Sequence, residues 1–360
     1  MSRTRPSPGR SDHFMSDHSA KTATVLHPTG HAARLPTFSV VVPNYNHAHY
    51  LEAALHGHLS QSVPPLEIIA VDDASTDDSC AVVERVAAKH PSVRLVRLPR
   101  NGGVNLAINR GLREARGDYV GVSAADDVVT PAFAARSLEL LAQHPTVGFC
   151  FSERAWLLGD SGVVKLLPLF LNDRPCMFSP EAFTRLLKGN YFNLPSNATL
   201  YRRDALLALG GFIEDLRWHA DWFANYVLAF RHGACYVPEV LAYYRVSPGS
   251  YSARGVRQAE TQRALIYRIV DLLESDPWHD VALPFRGGAL MPEMSVRVLM
   301  WLLASPRHRS YVTPPLLARL LFGSVWSVLI PLMPDWLHQT VRRVAAAPAR
   351  RSLAAQFPTS

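Results

Sequence analysis

Two pairs of adjacent carboxylates stand where short apolar runs end: Asp72 and Asp73 in "VDDASTDDS", and Asp126 and Asp127 in "SAADDVVTP". Neighbouring like charges raise each other's proton affinity unless a cation or several hydrogen-bond donors absorb the charge, so each pair invites a divalent ion or a set of donors. The plainer chemistry is that of a turn. Asp127 precedes Pro131 by four residues, and a polar residue, a short spacer and a proline open a helix well. Asp72 and Asp73 can likewise cap a helix starting near Thr76, although Ser75 and Asp77 are better placed for it.

The elements that must carry these residues are legible from Phe38 onward. "FSVVV", "LEIIAV", "VRLVRL", "DYVGVS" and "VGFCFS" alternate with the amphipathic patterns "HYLEAALHGHLSQ", "SCAVVERVAAKH", "NLAINRGLREARG" and "PAFAARSLELLAQHP". Continuous apolar strands between amphipathic helices predict a parallel sheet covered on both faces, ending near residue 152. In such sheets ligands bind beyond the carboxyl ends of the strands. Here those ends read "VVPNYN", "VDDASTDDS", "LPRNGGVNLAINRG" and "SAADD". Residues 153–255 add a strand at "NATLY", a helix "RDALLAL" closed by Gly210 and Gly211, and a helix near 218–232. Residues 256–360 read as helical and apolar. Residues 1–36, rich in Ser, Thr, Pro and His, read as a disordered leader.

A chain of 360 residues with formal charge +7 favours phosphate-bearing ligands or an anionic membrane face over other partners. No nucleic acid is expected. The four cysteines lie far apart, which excludes a zinc cluster or disulfide framework and makes a reducing, cytoplasmic setting the expectation. There is no GxxxxGK[ST] and no GxGxxG after the first strand, which sets aside P-loop and dinucleotide folds. A phosphoreceiver domain needs its paired aspartates after the first strand, where this chain has Pro43 and Asn44. In 315–337, Arg319, Pro331 and Pro334 limit the uncharged run to about 15 residues, short of the roughly 20 that span a bilayer. With Arg342, Arg343, Arg350 and Arg351 beyond it, this stretch reads as a helix lying in the headgroup region, or equally as a core or dimerisation helix.

Taken together, the strand ends resemble those of the family-two glycosyltransferases over roughly residues 38–250. The resemblance rests on Pro43, Asn44, Tyr45 and Asn46; on Val71 to Asp77; on Asn101, Gly103, Ala107, Asn109 and Gly111; and on Ala115, Gly117 and Tyr119 ahead of Asp126 and Asp127. It implies an α/β A-type glycosyltransferase fold, with a mixed, mostly parallel Rossmann-like sheet and here a helical C-terminal extension. The donor half is 37–152, the acceptor half 153–255 and the extension 256–360. It implies transfer of a sugar from a nucleotide-diphosphate donor with inversion, assisted by Mn²⁺ or Mg²⁺. Tyr45 would pack on the donor's base and Asp72 or Asp73 would accept its imide N–H, with Pro43, Asn101 and Gly103 framing the donor. Asp126 would meet the metal, and Asp127 would cap the following helix or support it. The family's pattern has a further aspartate where this chain has Ala124.

The segment "GGFIEDLRWHADWFANYVLAFRHG" resembles the family's Gly-Gly-Phe stretch and the acidic pair that follows it, with Asp221 matching the aspartate and Ala220 standing in place of the glutamate. Asp221 is therefore the expected general base, with Trp218, His219 and Trp222 on the acceptor side and Phe223, Tyr226 and Phe230 completing an aromatic, sugar-binding wall. A plain amphipathic helix face is the alternative for Asp221, and His219 is the second candidate for the base. No Gln-x-x-Arg-Trp follows, which favours transfer of single sugars to a glycan or lipid-linked acceptor in surface polysaccharide or glycolipid assembly. Peripheral attachment at the inner membrane face is expected from the tail. Two rivals are a catalytically degenerate binding or scaffolding protein, suggested by Ala124 and Ala220, and a nucleotidyltransferase. "PNYNHAHY" lacks the Gly-rich basic loop that the latter needs.

Overall fold

The computed structural model describes residues 35–159, 163–166, 168–189, 192–246, 250–293 and 295–329. Most of the expected leader and the arginine-rich tail lie outside the described residues.

The first half follows the alternation of the sequence: β1 (Phe38–Asn44), α1 (Ala48–Leu59), β2 (Glu67–Asp72), α2 (Ser79–Ala87), β3 (Val93–Arg97), α3 (Val104–Glu114) and β4 (Tyr119–Val122). The two-residue β5 (Val128–Val129), α4 (Phe133–Gln143) and β6 (Phe149–Leu158) come next. Beyond them lie β7 (Val163–Leu166), β8 (Cys176–Phe178), α5 (Pro180–Gly189), β9 (Thr199–Arg202), α6 (Arg203–Ala208), α7 (Ala220–His232) and β10 (Ala234–Val246). The chain continues through α8 (Tyr251–Val256), α9 (Ala259–Leu273), α10 (His279–Gly287), α11 (Val296–Ala304) and α12 (Pro314–Leu329). Among the described residues no helix is long and apolar enough to cross a membrane.

The strands form one mixed sheet in the order β3-β2-β1-β4-β9-β6-β10-β5, with β7 on β6 and β8 on β10. β1, β2, β3 and β4 are mutually parallel, as are β6 and β10, while β9 runs antiparallel between β4 and β6. Alternate residues of a strand face opposite sides. Phe38, Val40 and Val42 accordingly enter one apolar cluster and Val41 the other, which is why every residue of β1 is buried. β6 runs through residue 152, where the first half was expected to end. β10 was not legible, because Pro238 and Glu239 interrupt its apolar run. The structure absorbs them in an irregularity between Val237 and Ala242, where the pairing with β6 shifts register.

Two glycines of the motif set the close approach of α3 and β4 to the sheet. A Cβ on Gly111 would stand 2.4 Å from Val41 Cγ1, and one on Gly117 would stand 2.5 Å from the backbone nitrogen of Ser39. The first contact leaves room for a side chain to give, whereas the second meets backbone. The spacing Ala115-x-Gly117-x-Tyr119 is therefore a packing requirement of the turn entering β4.

Candidate functional site

The loops after β1 and β2 are built as one piece. Asn44 and Asp72 are opposite each other in register, and the Asn44 amide donates to Asp72 Oδ1 (3.0 Å) and to Ser75 Oγ (3.1 Å). Asp72 Oδ2 accepts the Ser75 N–H at 2.9 Å. Asn46, at φ 58°, donates its N–H to Ser75 Oγ (3.0 Å) and accepts the Thr76 N–H on Oδ1 (2.8 Å). Asp77 accepts the N–H groups of Ala48 and Ser79, each at 3.0 Å, while the N-cap of α2 is Asp78, whose side chain makes no cap bond. Between these anchors Tyr45 stands 46% exposed at the rim, while Pro43 is buried in β1.

Asp73 does something the sequence did not suggest. Its two oxygens accept the N–H groups of Gly102 (2.7 Å) and Gly103 (2.8 Å), two donors that the start of α3 leaves without helical partners. Gly103 has φ 91°, and nothing lies within 4 Å of a Cβ built on it, so the backbone there borders open space; Asn101 is exposed beside it. Asp72 and Asp73 are each 3% exposed and already hold protein donors. Their first work is to fix the loops, and any ligand N–H would have to use their remaining lone pairs.

At the end of β4, Asp126 is partly buried, and among the described residues its side chain has no hydrogen-bond donor. Asp127 is buried, and its Oδ1 accepts the N–H of Arg245 at 3.0 Å. Burial, followed by the charge of Asp126, raises the Asp127 carboxyl to about 7, against the Arg245 N–H, Asn197 and Arg154, which favour its charged form. The expectation that Asp127 caps the next helix is corrected here. β5 intervenes, pairing Val129 with Ala242, and α4 begins only at Phe133 without a side-chain cap. Arg245 also donates from Nε to the Asp126 carbonyl (3.1 Å) and lies over the Tyr50 ring, 4.5 Å from its centroid.

Asp221 comes from the other half of the chain. Asn109 on α3 accepts the Phe212 N–H and donates to the Phe212 carbonyl, each at 2.8 Å. Asn105 donates to the carbonyl of Arg217 (2.7 Å), itself at φ 48°. The chain then enters α7 with Asp221 in its first turn, where the helix dipole favours a negative charge, and Asp221 Oδ1 accepts the Trp222 N–H at 2.7 Å. One turn later Asn225 donates to Ser196 Oγ (3.0 Å) and accepts the Tyr201 hydroxyl (2.7 Å). Residues four apart share a helix face. The turn Ser196–Ala198 is thus tied through Ser196 to Asn225 on the Asp221 face of α7.

Arg154 on β6, which the sequence reading missed, lies near enough to Asp127 and Asp221 to feel their charges. Burial lowers its guanidinium from the ordinary range, while the charges of Tyr244, Asp221, Asp127 and Glu153 pull it back. The available signal was a charged pair, Glu153 and Arg154, inside the otherwise apolar "FCFSERAWLL".

The expected aromatic wall is largely core. Trp222 is 5% exposed, with its ring 5.1 Å from Tyr226 and 5.7 Å from Phe285; Phe223, Tyr226 and Phe230 are buried with it. α7 is covered by α5 and α10, so its aromatics belong to the core. His219 is also buried, its Nε2 3.0 Å from Gln262 Oε1, and burial lowers its pKa. Trp218 donates to the same Gln262 oxygen at 2.9 Å and meets Tyr251 edge to face at 5.8 Å. The aromatics left at the surface on this side are Trp218 and Tyr251, the second of which was not foreseen.

Residues 39–210 match the family model described as Glycosyl transferase family 2. An uncharacterised glycosyltransferase of Nostoc sp. is 31% identical over 211 residues, covering 58% of this chain and 64% of that protein. The chain therefore matches a little under two thirds of that relative's length. Among solved structures, residues 1–349 of S. aureus TarS in complex with UDP-GlcNAc align at a TM-score of 0.55 and 19% identity, over 76% of this chain and 75% of that one. The mannosyltransferase PcManGT of Pyrobaculum calidifontis, in complex with GDP-Man and Mn²⁺, aligns at a TM-score of 0.52 and 21% identity, over 91% and 88%. At such identities the structural likeness is one of fold.

Proposed function

We propose that this chain, whose residues 39–210 match the Glycosyl transferase family 2 model on an A-type glycosyltransferase fold, moves a single sugar from a nucleotide-diphosphate donor to an acceptor hydroxyl with inversion. What supports this reading is that Asp127, the neighbour of Asp126 in the first half, and Asp221 from the second half both lie near enough for their charges to act on Arg154. Asp221 takes the proton of the acceptor hydroxyl as its oxygen forms the new bond to the anomeric carbon. The bond from that carbon to the diphosphate oxygen breaks on the opposite face, and the pair of electrons leaves with the phosphate. Tyr45 at the rim offers an aromatic face to the base, and the Gly102–Gly103 turn, held by Asp73, offers backbone close to open space. The acceptor class that fits this reading is a glycan or lipid-linked hydroxyl used in building a surface polysaccharide or glycolipid.

Among the described residues no group of three or more His, Cys, Asp or Glu side chains is arranged to hold a metal ion. The chain offers Asp126, with Asp127 behind it, and hard divalent ions are held by one or two carboxylates when substrate phosphates and water complete the shell. This donor set fits Mg²⁺ or Mn²⁺ only together with the diphosphate. A bound ion would supply charge neutralisation of the leaving group. Asp126→Asn is expected to lower the Mn²⁺-dependent part of UDP or GDP affinity by roughly 10- to 100-fold in calorimetry. Equal, metal-independent affinities in both proteins would remove Asp126 from this role. The degenerate binding protein remains a second reading because Ala124 and Ala220 replace two carboxylates of the pattern. Nucleotide binding without any transfer across a donor panel favours it.

The helical extension supports peripheral membrane attachment. Val296, Met300 and Leu303 on α11 and Leu317 and Leu321 on α12 are exposed apolar side chains at helical spacing. Such a face suits the headgroup region of a bilayer, and the sequence beyond it carries Arg342, Arg343, Arg350 and Arg351, each surface arginine adding about 1 kcal/mol on an anionic one. The full chain should float with phosphatidylserine-containing liposomes at low salt and less so at high salt. A chain that stays in the soluble fraction at low salt makes this face a protein contact instead.

A further inference from the structure

Arg154 has no part in the chemistry above, and its position asks for one. It stands on β6 opposite Ala242 of β10, which on its other side faces Val129 of β5. Two strand spacings, roughly 10 Å, therefore separate its backbone from the residue two places beyond Asp127. The turn Ser196–Ala198 packs over the same strands, β6 and β10. Asp221, Asp127, Glu153 and Tyr244 lie near enough for their charges to act on the guanidinium. Yet among the described residues no side-chain hydrogen bond or ion pair engages it.

Its neighbours are committed elsewhere. Asp127 accepts the Arg245 N–H, Glu153 accepts the N–H groups of Leu169 and Phe170 and the Tyr236 hydroxyl, and Asp221 accepts the Trp222 N–H. Arg154 is half-buried, and its guanidinium carries five donors in a rigid fork that these neighbours leave open to a ligand. It is also the group whose geometry best matches phosphate oxygens. The end of β4 carries Ala124 where the family's pattern has a carboxylate, so one acid fewer competes there for an arginine.

We propose that Arg154 is a donor-binding residue whose guanidinium takes a phosphate oxygen of the nucleoside diphosphate, so that the chain itself supplies part of the positive charge the leaving group requires. This rests on the reading that the donor is a nucleotide sugar, and the test separates the two. Calorimetry is run on the full chain and on Arg154→Met and Arg154→Lys, with UDP, GDP, ADP and dTDP and with their nucleosides, in Mn²⁺ and in EDTA. Arg154→Met is expected to bind the preferred diphosphate about 10- to 100-fold more weakly in both conditions, with nucleoside affinity unchanged. Arg154→Lys should recover part of the loss, and Arg154→Met should melt no lower than the wild type, because the change breaks no protein hydrogen bond. Wild-type diphosphate affinity in Arg154→Met overturns the assignment and leaves the nucleotide-sugar reading standing. Equal weakening toward nucleoside and diphosphate also overturns it, as the mark of a structural role. A wild type that binds none of the four diphosphates removes both the reading and the proposal.

Discussion

Asp221→Asn is expected to lose roughly 100- to 10,000-fold in turnover while keeping its nucleotide affinity within about twofold, the range that general-base assistance covers. The split follows from where the residue sits. Asp221 enters from the second half, in the first turn of α7, whereas Tyr45, the Gly102–Gly103 turn and Asp126 come from the loops of the first. The substitution keeps the shape of the side chain, and Oδ1 can still accept the Trp222 N–H that it accepts now. What is lost is the proton affinity at the moment the acceptor oxygen attacks. Single-turnover transfer together with nucleotide titration measures the two quantities separately, and the wild-type product should have inverted anomeric configuration. Wild-type turnover in Asp221→Asn would dismiss it as the base. His219 would inherit the role only against its burial and its contact with Gln262.

The second large effect lies at the opposite end of the strands and concerns stability. Glu67 is 2% exposed and accepts hydrogen bonds from Ser39 Oγ (3.1 Å), the Arg116 N–H (2.9 Å) and Arg94 Nε (3.1 Å), with Arg116 Nη2 also 3.3 Å away. Burial pushes its carboxyl up, but the hydrogen bonds from Arg116, Arg94 and Ser39 outweigh it, and the net shift is downward. Its folded-state pKa is thus below its unfolded value near 4.3, so its contribution is complete above that value and is lost as the pH falls through the folded one. Removing one partner of a buried pair costs about 3 to 5 kcal/mol, and because the Arg94 and Arg116 side chains are 35% and 69% exposed, the lower end is expected for Glu67→Gln. Urea midpoints should show a gap of about 3 kcal/mol at pH 7 that narrows below about pH 4. A gap of the same size at pH 3 and pH 7 would mean that packing, not charge, sets the cost.

The half of the fold that runs from β1 to α4 was legible because each strand there is a continuous apolar run between amphipathic helices. The loops at its carboxyl ends were legible for the same reason. What stayed hidden depends on partners distant along the chain. The exposure of Trp222 and Tyr226 is decided by Phe285 on α10, and no local pattern distinguishes a buried aromatic helix from a sugar-facing one. The role of Asp127 is decided by Arg245, and β5 exists only because Val129 finds Ala242. Asp73 looked like a ligand because an unpaired carboxylate beside another invites one, and its use as a clamp on Gly102 and Gly103 needs two donors nearly thirty positions on. Arg154 sat unnoticed in a strand whose average character is apolar.

The paired hydrogen bonds between Asn109 and Phe212 carry a consequence for building chimeras. Gly211, at φ 82°, lies so close that a Cβ would stand 2.2 Å from Asn109 Oδ1, so α3 of the first half and the loop leading to Asp221 fit each other as a lock and its key. A recombinant that borrows residues 212–232 from a relative to change the acceptor would keep Asp221 in reach only if Asn109 and Gly211 were inherited as a unit. The crossover point that respects this joint lies before α3, well upstream of the segment one would wish to exchange.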